Sequence, residues 1–136
     1  MTILVITGDQ IINEMRRLAK ENPGYVYGNE YSDQGCLYYD AKKNCGACLV
    51  GQALFNLGAN VRVLDESMYT PSFKSLARNW NELSAEHDVN FDFTQLTDRQ
   101  INWISDAQGN QDTGSTWENA LIGADHWYPL DPMAEV

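Results

Sequence analysis

The stretch Ala47-Cys48-Leu49-Val50-Gly51-Gln52-Ala53-Leu54-Phe55-Asn56-Leu57 is apolar on almost every side of a helix. A surface helix carries one apolar stripe, whereas a helix apolar all round must be enclosed by other elements. The rest of the chain therefore has to wrap this rod. Asn44 is a good N-cap and Gly58 a ready C-terminal stop, so the pattern predicts a helix from Asn44 to Leu57. Gly46, Ala47 and Gly51 leave room for neighbouring backbone to come close.

The chain has 136 residues, enough for one domain around such a rod without a disulfide or metal to hold it. Thr2 to Ile6 reads as a short strand or hydrophobic lead-in. Thr7-x-x-Gln10 is a capping-box pattern, followed by an apolar helical stripe of Ile11, Met15 and Leu18 that Asn22-Pro23-Gly24 ends. Tyr25-Val26-Tyr27 and Cys36-Leu37-Tyr38-Tyr39 are β-type runs separated by a glycine-bearing loop, which predicts a hairpin. Val61 to Met68 reads as irregular, with room for one helical turn. Thr70-Pro71 reads as an N-cap and first turn, and Phe73, Leu76, Trp80 and Leu83 as the inner stripe of the following helix. Val89, Phe91 and Phe93 alternate with polar residues as a short strand does.

Two more capping boxes, Thr97-x-x-Gln100 and Ser115-x-x-Glu118, open the last helices, with a polar connector from Gln108 to Gly114 between them. The tail from about 129 has two prolines and no periodicity, so weak order is expected there. The fold class these elements predict is α+β, a small antiparallel hairpin packed against four to five helices in a single compact domain. Successive strand–helix units, which a doubly wound sheet needs, are missing.

The net charge is −10, and it is unevenly placed. All nine lysines and arginines lie at or before Arg99, while six acids and no base follow Gln100. Phosphate backbones are repelled by such a half, so direct nucleic-acid binding is disfavoured. Solubility is the plainer explanation of this charge; the sharper one is an acidic face that docks on a basic protein partner or occupies a nucleic-acid-binding surface. No apolar run approaches the roughly 20 residues of a membrane span, and the Ile3-Leu4-Val5-Ile6 run lacks the basic lead-in of a signal peptide. The expected location is cytoplasmic, with no membrane partner and with reduced thiols.

Cys36, Cys45 and Cys48 fall within thirteen residues. Thiols at a helix start gain from unpaired N–H groups, and Cys45-Gly46-Ala47-Cys48 spells a thioredoxin-type redox motif. Against that, Asn44 precedes it and no βαβ pattern leads into it. Zinc is the second chemical option, with Cys36, Cys45 and Cys48 as three ligands and His87 or His126 as a fourth. A second close ligand pair is lacking. The favoured reading is that the cysteines are small hydrophobes in a core, with no cofactor.

Outside the cysteines, the turn at 108–117 gathers Gln108, Gln111, Asp112 and Trp117, polar and aromatic groups suited to a ligand or partner. The favoured reading is that Gln111 and Asp112 cap helix ends and Trp117 fills the core. Tyr25, Tyr27 and Tyr38, with Tyr31 and Tyr39, crowd the predicted hairpin. Facing outward they would form an adhesive surface for a partner or a homodimer; facing the helices they would be core.

Several blocks together resemble a family. They are Pro-Gly-Tyr-Val-Tyr at 23–27, Gly-Cys-x-Tyr at 35–38, Cys-Leu-Val-Gly-Gln-Ala-Leu at 48–54 and Gln-x-x-Gln-Asp-x-Gly-x-x-Trp-x-x-Ala-Leu at 108–121. This order is similar to that of a group of small proteins encoded by actinobacteriophages and some actinobacteria, over about residues 12 to 128. The resemblance implies a phage or prophage origin, hence the host cytoplasm, and a shared fold. It brings no activity, cofactor or catalytic residue with it. In that pattern another small residue usually stands at Cys45, which implies that the C-x-x-C pair here is incidental. The expected function is a small acidic protein-interaction module without enzymatic activity. A thiol or zinc protein is the first alternative, and a small-ligand binder at 108–117 the second.

Overall fold

A computed structural model describes residues 3–27, 38–66, 72–86 and 89–130. The chain opens with β1 (Leu4–Val5), then α1 (Gly8–Glu21), β2 (Tyr39–Asp40), β3 (Cys45–Gly46), α2 (Leu49–Asn56) and α3 (Arg62–Glu66). It continues through α4 (Phe73–Arg78), α5 (Trp80–Glu86), β4 (Phe91–Asp92), α6 (Asp98–Asp112) and α7 (Trp117–Trp127). The fold is α+β. Among the described residues two two-stranded sheets accompany the helices: β1 pairs with β4 in parallel, and β2 with β3 antiparallel.

α1 and α6 begin as their sequences dictate. Thr7 and Thr97 each accept the N–H three residues on, at 3.2 Å, while Gln10 and Gln100 reach back to the cap N–H. Ile11, Ile12, Met15, Leu18 and Ala19 form the buried face of α1, which lies across α2, α6 and α7. α2 is the enclosed rod, with Leu49, Val50, Gly51, Ala53 and Leu54 all buried. The hub is α6, which touches α1, α2, α4 and α7.

The rod is shorter than its composition suggests. Asn44 is not its cap; it sits at φ 50° in the turn joining β2 to β3, a left-handed position that asparagine tolerates. Asp40 fixes that turn by accepting the N–H groups of Lys42 and Lys43 at 2.9 and 3.2 Å. Cys45 and Gly46 are therefore strand, and the helix starts only after Cys48. Glycine makes this sharp return possible. A Cβ on Gly46 would lie 2.3 Å from Gln52 Cα, and one on Gly51 would lie 2.1 Å from the Tyr38 carbonyl oxygen.

An antiparallel hairpin forms, but between other segments than the expected Tyr25–Tyr27 and Cys36–Tyr39. Tyr39 pairs with Gly46, whereas Val26 bridges to Thr116 at the start of α7. The expected strand from Cys36 and the loop from Gly28 lie outside the described residues, apart from Tyr38 and Tyr39. The stripe Phe73, Leu76, Trp80 and Leu83 packs inward as read, but the helix breaks at Asn79 into α4 and α5. Ser72 caps α4, accepting the Ser75 N–H at 3.2 Å; Thr70 and Pro71 lie outside the described residues. Val61 to Met68 does hold a helical turn, α3. The alternation at Val89 to Phe93 does hold a short strand, β4, and from it Phe91 and Phe93 meet Trp80 at ring-centroid distances of 5.0 and 4.6 Å. The tail beyond Leu130 lies outside the described residues.

Candidate functional site

The polar block at 108–117 is mostly helix. α6 runs through Gly109 to Asp112, and the chain turns only at Thr113-Gly114-Ser115, with Gly114 at φ 104°. The cap of α7 is Thr116, one residue later than the capping-box pattern, because Thr116 accepts the Asn119 N–H at 3.2 Å. Ile104, Ala107, Gln108 and Gln111 share the buried face of α6, at the helical spacing of three and four.

Both buried amides hold the first residue of another helix. Gln108 accepts the Phe73 N–H at 2.8 Å and donates to the Tyr38 hydroxyl at 2.9 Å. Gln111 accepts the Leu49 N–H at 2.7 Å and the Trp117 indole N–H at 3.2 Å, and donates to Asp112 at 2.7 Å. Leu49 and Phe73 open α2 and α4, where backbone N–H groups lack partners within their own helix. The two glutamines thus anchor two helix starts to one face of α6. Trp117 is fully enclosed, and the half-buried Tyr25 ring lies 4.6 Å from it. The Tyr25 and Pro23 carbonyls accept the Trp117 and Glu118 N–H groups at 3.0 and 3.1 Å. Tyr27 and Tyr38 are buried, so these tyrosines belong to the core. Of the candidate set around Trp117, only Asp112 is exposed.

The sulfurs are placed by the same turn. Cys48 is fully buried at the N-cap of α2, where Sγ accepts the Gly51 N–H at 3.3 Å. Cys45 is half-buried on β3. Cys36 and His87 lie outside the described residues, and His126 stands on the exposed side of α7 beside Trp127. Among the described residues, no three histidine, cysteine or acidic side chains are grouped so as to hold a metal.

Three features escape a reading of the sequence. Arg16 and Asp125, 109 positions apart, form a two-pronged ion pair at 2.7 and 3.0 Å; Trp103 donates to the same carboxylate at 2.9 Å. The Arg16 guanidinium also lies 5.0 Å from the Trp103 ring centre. The Arg16 hydrogen bonds, with help from Trp103, hold the Asp125 carboxyl below its ordinary pKa. Beside this pair a groove of about 420 Å³ runs between α1 and α7, floored by Ala19, Leu121 and Ile122. Third, among the described residues one edge of β1 has no strand partner. Leu4 and Ile6 donate to Asn90 and Asp92 carbonyls at 2.8 and 3.0 Å, while Ile3, Leu4 and Val5 remain 46, 37 and 54% exposed. No helix among the described residues is long and apolar enough to cross a membrane.

No family model matches this chain, and no curated protein or solved structure matches it either.

Proposed function

We propose that this chain is a small acidic protein-interaction module without enzymatic activity. The observation that carries the reading is where polar and apolar groups lie. The buried amides of Gln108 and Gln111 and the Cys48 sulfur bond to backbone N–H groups that open α2 and α4. Catalysis needs polar groups aimed at a reacting atom, and these are aimed at the protein's own backbone. Meanwhile large apolar side chains stand in solvent: Ile3 just before β1, Leu4 and Val5 on it, and Ile122 and Trp127 on α7, at 57 and 71% exposed. The run of three at the β1 edge suits contact with another protein. The net charge of −10 favours a basic partner, including one whose basic surface otherwise holds nucleic acid. The resemblance to small actinobacteriophage proteins supports a phage setting and action in the host cytoplasm.

The test is capture from lysate of an actinobacterial host, followed by reconstitution from purified components. A partner should bind wild type with a measurable Kd and bind a variant carrying Val5→Lys and Ile122→Lys at least about tenfold more weakly, a difference near 1.4 kcal/mol. Failure of every captured protein to bind in the purified system overturns the reading.

A further inference from the structure

We infer that the open edge of β1 receives an extended, basic segment of a partner protein, which adds to it as a strand. This rests on the interaction-module reading and names the surface and the chemistry of what docks there.

Backbone direction comes first. Along a strand, the N–H and C=O groups of successive residues point to opposite edges. Leu4 and Ile6 donate to Asn90 and Asp92 on the β4 side, so Ile3 and Val5 present theirs to the other side. Among the described residues the β1–β4 sheet has two strands, and no hydrogen bond among them engages the Val5 N–H. What completes a row of unpaired backbone donors and acceptors is another extended backbone.

The side chains agree. Proteins usually guard an open edge with lysine, proline or an inward charge. Ile3-Leu4-Val5-Ile6 carries none of these. Ile6 is buried and Leu4 packs toward Gly58, so the core holds one face of the strand. Ile3 and Val5 project from the other face, where β-branched residues pair well with β-branched residues of an added strand.

Charge selects the occupant. Asp92 faces Val5 from β4, on the paired side of β1, where its carboxylate accepts from Thr94, and Asp9 is exposed in the first turn of α1, so the charge that bears on the open edge is that of the chain as a whole. With a net charge of −10, the chain attracts a lysine- or arginine-bearing segment. A second copy would bring the same charge. An edge of three residues also falls far short of the roughly 800 Å² per partner that a stable dimer buries.

The probe is an octapeptide alternating valine and lysine, added to the full chain, with amide hydrogen exchange read residue by residue. Saturating peptide should slow exchange at Val5 by at least about tenfold, as pairing of an open amide does. The matching valine–glutamate octapeptide should leave Val5 unchanged. Val5→Pro removes the outward donor without touching the bonds of Leu4 and Ile6, and should abolish binding. Val5→Lys keeps the backbone donor but adds a guarding charge, and should weaken binding if the proline variant does not fold. No slowing at Val5, equal slowing by the glutamate peptide, or a concentration-dependent dimer lost in Val5→Lys overturns the inference. A reconstituted partner that binds Val5→Lys normally but not Ile122→Lys overturns it too, while leaving the interaction-module reading in place.

Discussion

Gln111 and Leu49 stand 62 residues apart, and a 2.7 Å hydrogen bond from the Leu49 N–H to Gln111 Oε1 joins the end of α6 to the start of α2. Cys48 reaches the Gly51 N–H from the conventional cap position. The donor at Leu49 is one that the helix cannot satisfy itself. Supplying its acceptor from a distant helix sets the angle at which the apolar rod enters the core. Gln108 does the same for α4 at Phe73, so one turn of α6 fixes two helices.

Gln111→Leu should keep the volume near constant and strand two buried donors, the Leu49 N–H and the Trp117 indole N–H. An unsatisfied buried group costs about 1–3 kcal/mol, so a loss of about 2–4 kcal/mol is expected in urea unfolding. A loss below about 0.5 kcal/mol would mean that water or a shifted backbone replaces the amide.

How far the fold was legible follows from the range of the interactions that make it. The capping boxes at Thr7 and Thr97 and the buried stripe of α1 are local patterns, and they form as written. Asn44 misleads because a left-handed turn and a helix cap favour the same residue type. The choice was made by the β2–β3 pairing, a non-local event. Gln108 and Gln111 were visible as a polar pair, but Gly109 suggested a loop. The signal that places them inside is their spacing from Ile104 and Ala107, which continues the buried stripe. The Arg16–Asp125 pair has no local signature at all.

Gly51→Ala should be far more damaging than an alanine in a helix ordinarily is. The added Cβ would meet the Tyr38 carbonyl oxygen at 2.1 Å and its carbonyl carbon at 2.7 Å. Backbone cannot rotate away as a side chain can, so α2 and β2 must separate. Overpacking costs about 1–3 kcal/mol where side chains yield; here the loss should reach or exceed the top of that range. Gly109→Ala is the control, since a Cβ there meets nothing within 4 Å, and it should stabilise α6 by up to about 1 kcal/mol. Thermal unfolding of both variants gives the comparison.

The two described thiols should differ sharply in reactivity. Cys48 is enclosed and accepts a backbone hydrogen bond, whereas Cys45 is half-buried on a short strand. Alkylation of the native protein, read by peptide mass, should label Cys45 at least about tenfold faster than Cys48, because access limits the reaction. Denaturant should remove the difference. Cys48→Ala should lower stability by about 1–2 kcal/mol through the lost cap and the vacated volume. Fast labelling of Cys48 in the folded chain would contradict its role as core filling.

Acid should weaken the seam between α1 and α7 in a direction the ion pair fixes. Hydrogen bonds from Arg16, then Trp103, lower the Asp125 pKa in the folded chain, and Arg17, with a smaller contribution from Asn56, lowers that of Glu14. A carboxyl with a lower pKa folded than unfolded binds fewer protons when folded. Its contribution is therefore present above the unfolded value, about 4, and is lost as pH falls through the folded value. Asp125→Asn keeps an acceptor for the Trp103 indole but cannot titrate. The fall in urea midpoint between neutral pH and about pH 2 should consequently be smaller in Asp125→Asn than in wild type, and the variant should be weaker at neutral pH. Both groups are more than a third open to solvent, at 41 and 44% of their side-chain surface, so the difference at neutral pH should not exceed about 1 kcal/mol and should shrink in high salt. An identical acid response in the two proteins would show that Asp125 has the same proton affinity folded and unfolded, and that the seam is held by the packing of Ala19, Leu121 and Trp103 alone.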